Sequence, residues 1–163
     1  LMSGVGGGRF DPKGTTTRAQ VVQILYNLAG GPKAAGTTPF TDLTQDWYKD
    51  AVLWAYQNGI VTGMSDTTFD PINNVTREQM ATIFGRYALK QGIELPKDAA
   101  PAESFPDADK ISEYAREFVE LMRIAGILNG YEDGTFRPQG NATRAEAAKL
   151  FSLFLSITDK LAK

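Results

Sequence analysis

Apolar residues recur with a helical period in three stretches of the chain. The first gives Val21, Val22, Ile24, Leu25 and Leu28, the second Met80, Ala81, Ile83, Phe84 and Tyr87, the third Ala147, Ala148, Leu150, Phe151 and Phe154. Each set covers one face of a helix and predicts that face as core. The start of each helix is legible just upstream. Thr17, Thr76 and Thr143 are predicted N-caps, and Gln20, Gln79 and Glu146, one turn on, complete capping boxes. Arg18, Arg77 and Arg144 therefore occupy the first helical position, where the helix dipole makes a cation mildly unfavourable. An unfavourable choice made three times asks for a reason.

The same spacing extends backwards from each arginine. Fourteen residues before it stands a glycine (Gly4, Gly63, Gly130), eight before a phenylalanine (Phe10, Phe69, Phe136), six before a proline (Pro12, Pro71, Pro138). The copies lie 59 and 67 residues apart, and the length difference falls in Gly/Pro/Ala/Thr-rich linkers at 30–39 and 90–104. A further helix precedes the glycines in copies two and three, ending at "GIVTG" (59–63) and "GILNG" (126–130), whose glycines suit left-handed C-caps. In it Trp47, Ala51, Trp54 and Ala55 match Tyr114, Phe118, Leu121 and Met122, and these positions read as core. Glu113, Arg116, Glu117, Glu120 and Arg123 read as the solvated face, with Arg116 and Glu120 paired one turn apart. Each unit is thus helix, tight loop, capped helix, and cannot bury both faces alone.

Composition narrows the chemistry. The 163 residues hold no Cys and no His, which removes disulfides, Cys/His metal sites and His-based acid–base catalysis. A net charge of −2 gives no bulk attraction to nucleic acid or anionic lipid. No apolar run is long enough for a membrane span, and the opening "LMSGVGGG" lacks a signal-peptide pattern. No cofactor is expected. Asp42 and Asp107 are carboxylates that a glycosidase would need, but each sits just before a helix, where Asp serves as cap or turn former.

The ordered motifs Phe40-x-Asp42, Trp47, Gly59-Ile60-x-x-Gly63, Phe69-x-Pro71 and Thr76-Arg77-Glu78-Gln79 resemble the S-layer homology (SLH) family. The third copy reads Phe105-x-Asp107, Tyr114, Gly126-Ile127-x-x-Gly130, Asp133-Gly134-x-Phe136-x-Pro138 and Thr143-Arg144-Ala145-Glu146. Tyr114 stands where the family usually has Trp, and "SDTTF" replaces the Asp-Gly-x-Phe turn in copy two. The first copy opens at "LMSG", without its leading helix, and has Gly7 at the place of Asp66 and Asp133. The chain divides into a partial first repeat (1–36), a second with linkers (37–104) and a third (105–163).

The resemblance implies an all-α fold of tandem helix-loop-helix repeats, arranged with pseudo-threefold symmetry around a central helical bundle. It implies a non-catalytic anchoring module, outside the cell and attached to the bacterial wall. Its grooves, between repeats, would hold an anionic, pyruvylated secondary cell-wall polysaccharide. Arg77, Arg144 and Arg18 would contact the ligand, with Asp42, Asp107, Trp47, Tyr114, Gly63 and Gly130 around them. An anion would reverse the dipole penalty on each arginine. The alternatives are ion pairs to a loop aspartate (Asp66 or Asp133), a protein–protein assembly role, or catalysis. In the ligand-contact reading, Arg144→Ala costs little stability. The groove between copies two and three is expected to be best formed, with Arg77 or Arg144 at its floor. The incomplete first copy is expected to leave Val22, Leu25 and Leu28 poorly covered and open to self-association.

Overall fold

All three capping boxes form. Thr17 Oγ1 accepts from Gln20 N at 3.2 Å and Gln20 Oε1 from Thr17 N at 2.8 Å. The same pair of bonds joins Thr76 with Gln79 (3.2 and 2.9 Å) and Thr143 with Glu146 (3.1 and 2.9 Å). The computed structural model describes residues 14–100 and 103–161. Within them run α1 (Arg18–Leu28), α2 (Lys49–Gln57), α3 (Arg77–Lys90), α4 (Glu113–Ile124) and α5 (Arg144–Leu161), with single 3-10 turns at Asp46–Tyr48 and Ala108–Lys110. The described chain is all-α. Gly4, Phe10, Pro12 and Gly7, which carry the first copy's upstream motif, lie outside the described residues.

The ends of α2 and α4 close as the glycines predict, though only one glycine of each pair does so. Gly59 (φ 69°) and Gly126 (φ 72°) take the left-handed conformation. Ile60 N then reaches Ala55 O at 2.9 Å, and Ile127 N reaches Met122 O at 3.0 Å. Gly63 and Gly130 serve a different purpose. A Cβ on Gly63 would strike the Ser65 carbonyl and the Phe40 ring, and one on Gly130 would strike the Gly134 carbonyl. They are glycines because the loop backbone passes too close for a side chain.

The extended residues ahead of α1, α3 and α5 are bridged pairwise: Thr17 with Asn74, Thr76 with Asn141, and Thr15 with Thr143. The bonds step cyclically through equivalent positions. Arg18 N donates to Asn73 O, Arg77 N to Gly140 O and Arg144 N to Gly14 O, at 3.0, 2.8 and 2.8 Å. Each bond satisfies a free amide at a helix start with a carbonyl from another copy.

Helices also pair across copies. α1 packs against α2, and α3 against α4, so the leading helix of one repeat lies on the capped helix of the repeat before it. Trp54 of α2 meets Tyr26 of α1 edge-on, with centroids 5.6 Å apart. Gly85 in the middle of α3 admits Phe118 of α4, whose ring would collide with any Cβ there. α5 joins this core through Phe154, which contacts Phe84 and Tyr87 of α3 at 5.2 and 6.2 Å.

Several sequence expectations change here. Val22 and Leu25 are fully buried, because α2 covers α1 from the following repeat. Trp47 (51% exposed) and Tyr114 (48%) are not core, and the adjacent Tyr48 and Ala115 are buried instead. On α4, Arg123 is buried and pairs with Glu120 at 3.0 Å, while Arg116 donates to the Ile111 carbonyl. Arg123 therefore does not belong to a solvated face.

Candidate functional site

The loops between leading and capped helices are held by the Phe-x-Asp motif. Phe40 packs on Phe69 (5.5 Å) and Phe105 stacks on Phe136 (5.0 Å). The Asp42 carboxylate accepts from Phe69 N at 3.0 Å and Asp70 N at 2.9 Å. Asp107 accepts from Phe136 N and Arg137 N, both at 2.9 Å. Asp70 and Arg137 both have φ 58°, a left-handed conformation that costs a non-glycine residue free energy and that the two charge-assisted bonds stabilise. Burial acts to raise the Asp107 pKa, but the two backbone donors outweigh it and hold it below the ordinary carboxylate value. Asp42 and Asp107 are thus loop clamps, not helix caps.

The arginines reach from one repeat into that loop of the next. Arg18 donates from Nε to Phe69 O at 2.8 Å and from Nη2 to Thr62 O at 3.3 Å, with its guanidinium 4.7 Å over the Phe69 ring. Arg77 repeats this on the third copy: Nε to Phe136 O at 2.7 Å, Nη2 to Asn129 O at 2.9 Å, and the guanidinium 4.7 Å from Phe136. Gly63 and Gly130, next to those second acceptors, bring the carbonyls into range. Both side chains are buried, and desolvation lowers both pKa values from the ordinary arginine value. Arg144 is likewise buried, but its counterpart to Phe69 and Phe136 is Phe10, outside the described residues.

The two environments differ at one substituent. Arg77 Nη1 is in direct ion-pair contact with Glu146 Oε2, and Tyr131 lies 4.7 Å from the same guanidinium. Arg18 has no carboxylate in ion-pair range among the described residues. The aspartates named as possible partners do not fill that role. Asp133 binds Thr135 and Arg137, and neither it nor Asp66 pairs with Arg18 or Arg77.

Arg18 lies in the wall of an open groove of about 380 Å³. The groove draws on all three repeats: Arg18 from the first, the Val61–Met64 loop with Gln79, Thr82, Ile83 and Arg86 from the second, and Tyr114 from the third. Neither Arg77 nor Arg144 lines this groove. Asp42, Asp107 and Trp47 do not line it, whereas Gly63 and Tyr114 do. A second hollow of about 300 Å³ joins Phe105, Arg123, Gly130 and Gly134 of the third repeat with Ser104 of the preceding linker.

Glu78 was not singled out by sequence reasoning, yet it organises one wall. Its buried carboxylate accepts from Ser112 N (2.9 Å), Ser112 Oγ (2.6 Å) and Tyr114 Oη (3.1 Å). Burial, then the Glu78 charge, push the Tyr114 phenol up to about 12. The signal was present: Glu78 stands where the other copies have Ala19 and Ala145. Arg86 carries no such signal, since only the docking of α4 brings it to the groove beside Tyr114.

A helical repeat module with a groove where its repeats meet is the class this architecture defines. The S-layer homology domain family model matches residues 1–22, 39–81 and 104–148, and the chain belongs to that family. Among curated relatives it is 32% identical to an endoglucanase of Bacillus sp. (strain KSM-635), over 95% of this chain and 16% of that protein. It is 30% identical to a cellulosome-anchoring protein of Acetivibrio thermocellus (93% of this chain, 34% of that protein). It is also 30% identical to a surface-layer 125 kDa protein of Lysinibacillus sphaericus (100% and 14%). The chain therefore spans a minor part of the length of each of these relatives. No helix of the described residues is long and apolar enough to cross a membrane.

Proposed function

We propose that this chain is a non-catalytic module that holds a protein at the bacterial cell surface. It does so by binding an anionic, pyruvylated wall polysaccharide in grooves between its repeats, outside the cell. Support comes from the family, and from relatives named as cellulosome-anchoring and surface-layer proteins. The cyclic bridges between the three cap segments support a pseudo-threefold arrangement of the repeats. Relatives named as enzymes match over a small part of their length, which supports a non-catalytic role for the shared part.

The observation that carries the reading is the groove itself. Two cations, Arg18 and Arg86, line it together with the half-exposed Tyr114. A guanidinium takes a carboxylate through paired charge-assisted hydrogen bonds, and an aromatic face takes the apolar side of a sugar ring. Arg77 and Arg144 are the equivalent residues of the other repeats. Asp42, Asp107, Gly63 and Gly130 act on the ligand indirectly, by fixing the loops against which the arginines are set.

Co-sedimentation with purified cell walls, before and after removal of the secondary polymer, tests this. Binding to intact walls should disappear with the polymer. Retention on stripped walls points to a protein partner and overturns the proposal. A saccharide lacking the carboxylate should bind at least about tenfold more weakly, because each charge-assisted bond is worth roughly 1.5–3 kcal/mol.

A further inference from the structure

We propose that one side chain, the residue three places into the following capped helix, decides which of these arginines is open to an anion. Gln79 leaves Arg18 open, and Glu146 occupies Arg77. The inference rests on the proposed function only in naming the ligand a carboxylate-bearing saccharide. The open and occupied states are read from the chain's own geometry.

Gln79 and Glu146 hold the same place in consecutive repeats, and each spends one oxygen on its capping box: Gln79 Oε1 on Thr76 N, Glu146 Oε1 on Thr143 N. The other terminal atom differs. Glu146 Oε2 is an anion and meets Arg77 Nη1. The Gln79 amide nitrogen is a donor and finds only the Met64 sulfur, a weak acceptor, at 3.7 Å.

The consequences for the two guanidinium groups follow. Arg77 uses Nε and Nη2 on the Phe136 and Asn129 carbonyls and Nη1 on Glu146, and the Tyr131 and Phe136 rings flank it. Its charge is neutralised within the protein. Arg18 uses Nε and Nη2 on the matching carbonyls, while Nη1 has no hydrogen-bond partner among the described residues. A cation at least nine-tenths buried, with an unused donor, thus lines a groove beside a second unspent donor on Gln79 and a second cation, Arg86. Arg18 bonds only backbone carbonyls there and has no carboxylate in ion-pair range among the described residues, and a saccharide carboxylate supplies that partner. At Arg77 an incoming carboxylate must first displace Glu146 and leave that anion without its partner. The repeats are therefore not equivalent binding sites, and the difference is written in Gln against Glu at one capping-box position.

Two exchanges test this without endangering the fold, because each gives one repeat the capping residue another already uses. In Gln79→Glu the groove arginine acquires an internal partner; in Glu146→Gln Arg77 loses one. The readout is the arginine Nε–H resonance of each residue by NMR during titration with sodium pyruvate, and separately with a methyl hexoside carrying a pyruvyl ketal. In the parent chain Arg18 should respond saturably and Arg77 should not. Gln79→Glu should weaken the Arg18 response at least tenfold, and Glu146→Gln should make Arg77 respond. Equal responses of Arg18 and Arg77 in the parent chain, or unchanged responses in both variants, overturn the inference. An Arg18 response to pyruvate with no sedimentation on cell walls removes the proposed function and leaves this inference standing. Sedimentation with equal arginine responses does the reverse.

Discussion

The guanidinium of Arg18 lies 4.7 Å over the ring of Phe69, a residue 51 positions away in the next repeat, and donates to that residue's own carbonyl. An arginine that looks misplaced on the positive end of its helix is thus a fastening between repeats, and it keeps one donor for the groove. Under the proposed function the position serves folding and recognition together, so variants at it are read on both scales.

Arg18→Ala leaves the Phe69 and Thr62 carbonyls without their donor and should cost about 1–3 kcal/mol in urea denaturation. Arg77→Ala should cost more, because it also strands Glu146, and the double variant Arg77→Ala/Glu146→Gln should recover part of that loss. The low cost expected from sequence for Arg144→Ala does not suit a buried side chain, and its midpoint should fall as well. Midpoints equal to the parent in all three single variants would contradict the fastening role.

Asp107 holds the third repeat's loop most strongly when ionised, and Glu120 holds Arg123 in the same way. Backbone donors, against the effect of burial, lower the Asp107 pKa, and the Arg123 hydrogen bond is the main cause lowering that of Glu120. A carboxylate with a depressed folded-state pKa contributes stability above its unfolded value and loses it as the pH falls through the folded one. Stability should accordingly decline from the ordinary carboxylate range downwards. Asp107→Asn should lower the neutral-pH midpoint and flatten that decline. An unchanged acid profile in Asp107→Asn would show that the clamp contributes nothing.

Two glycines a few residues apart should respond differently to alanine. Gly59→Ala meets open space and pays only for its positive φ, about 1–2 kcal/mol. Gly63→Ala drives a methyl into the Ser65 carbonyl and the Phe40 ring, so the loop that Arg18 grips must move. Its midpoint should drop well below that of Gly59→Ala, and wall binding should fall with it. Equal midpoints would mean that the loop yields easily.

Tyr114 should ionise late. Its phenol is pushed up to about 12 by burial first and then by the Glu78 carboxylate. In Glu78→Gln the phenolate absorbance should therefore appear at lower pH, still above the ordinary tyrosine value because burial persists. With the folded pKa raised, the stability linked to this phenol is present below the ordinary value near 10 and is lost as the pH rises towards 12. A titration unchanged in Glu78→Gln would deny the contact that joins repeats two and three at the groove wall.

The sequence by itself determined the helix starts, the caps and the register of the repeats. A Thr hydroxyl, a Gln or Glu one turn on and an apolar period act within a few residues, so their geometry is set by the helix they begin. It also carried the family, through motifs whose spacing survives in each copy. Tertiary structure decided the rest. That α2 covers α1, that Trp47 is exposed while Tyr48 is buried, and that Glu146 meets Arg77 are outcomes of how repeats dock. Arg77 and Glu146 are 69 positions apart, and no local periodicity links them. Three identical arginines look equivalent along the chain. They differ in the folded chain, where Arg77 meets the Glu146 carboxylate and Arg18 shares its groove with Gln79, whose amide nitrogen donates to the Met64 sulfur.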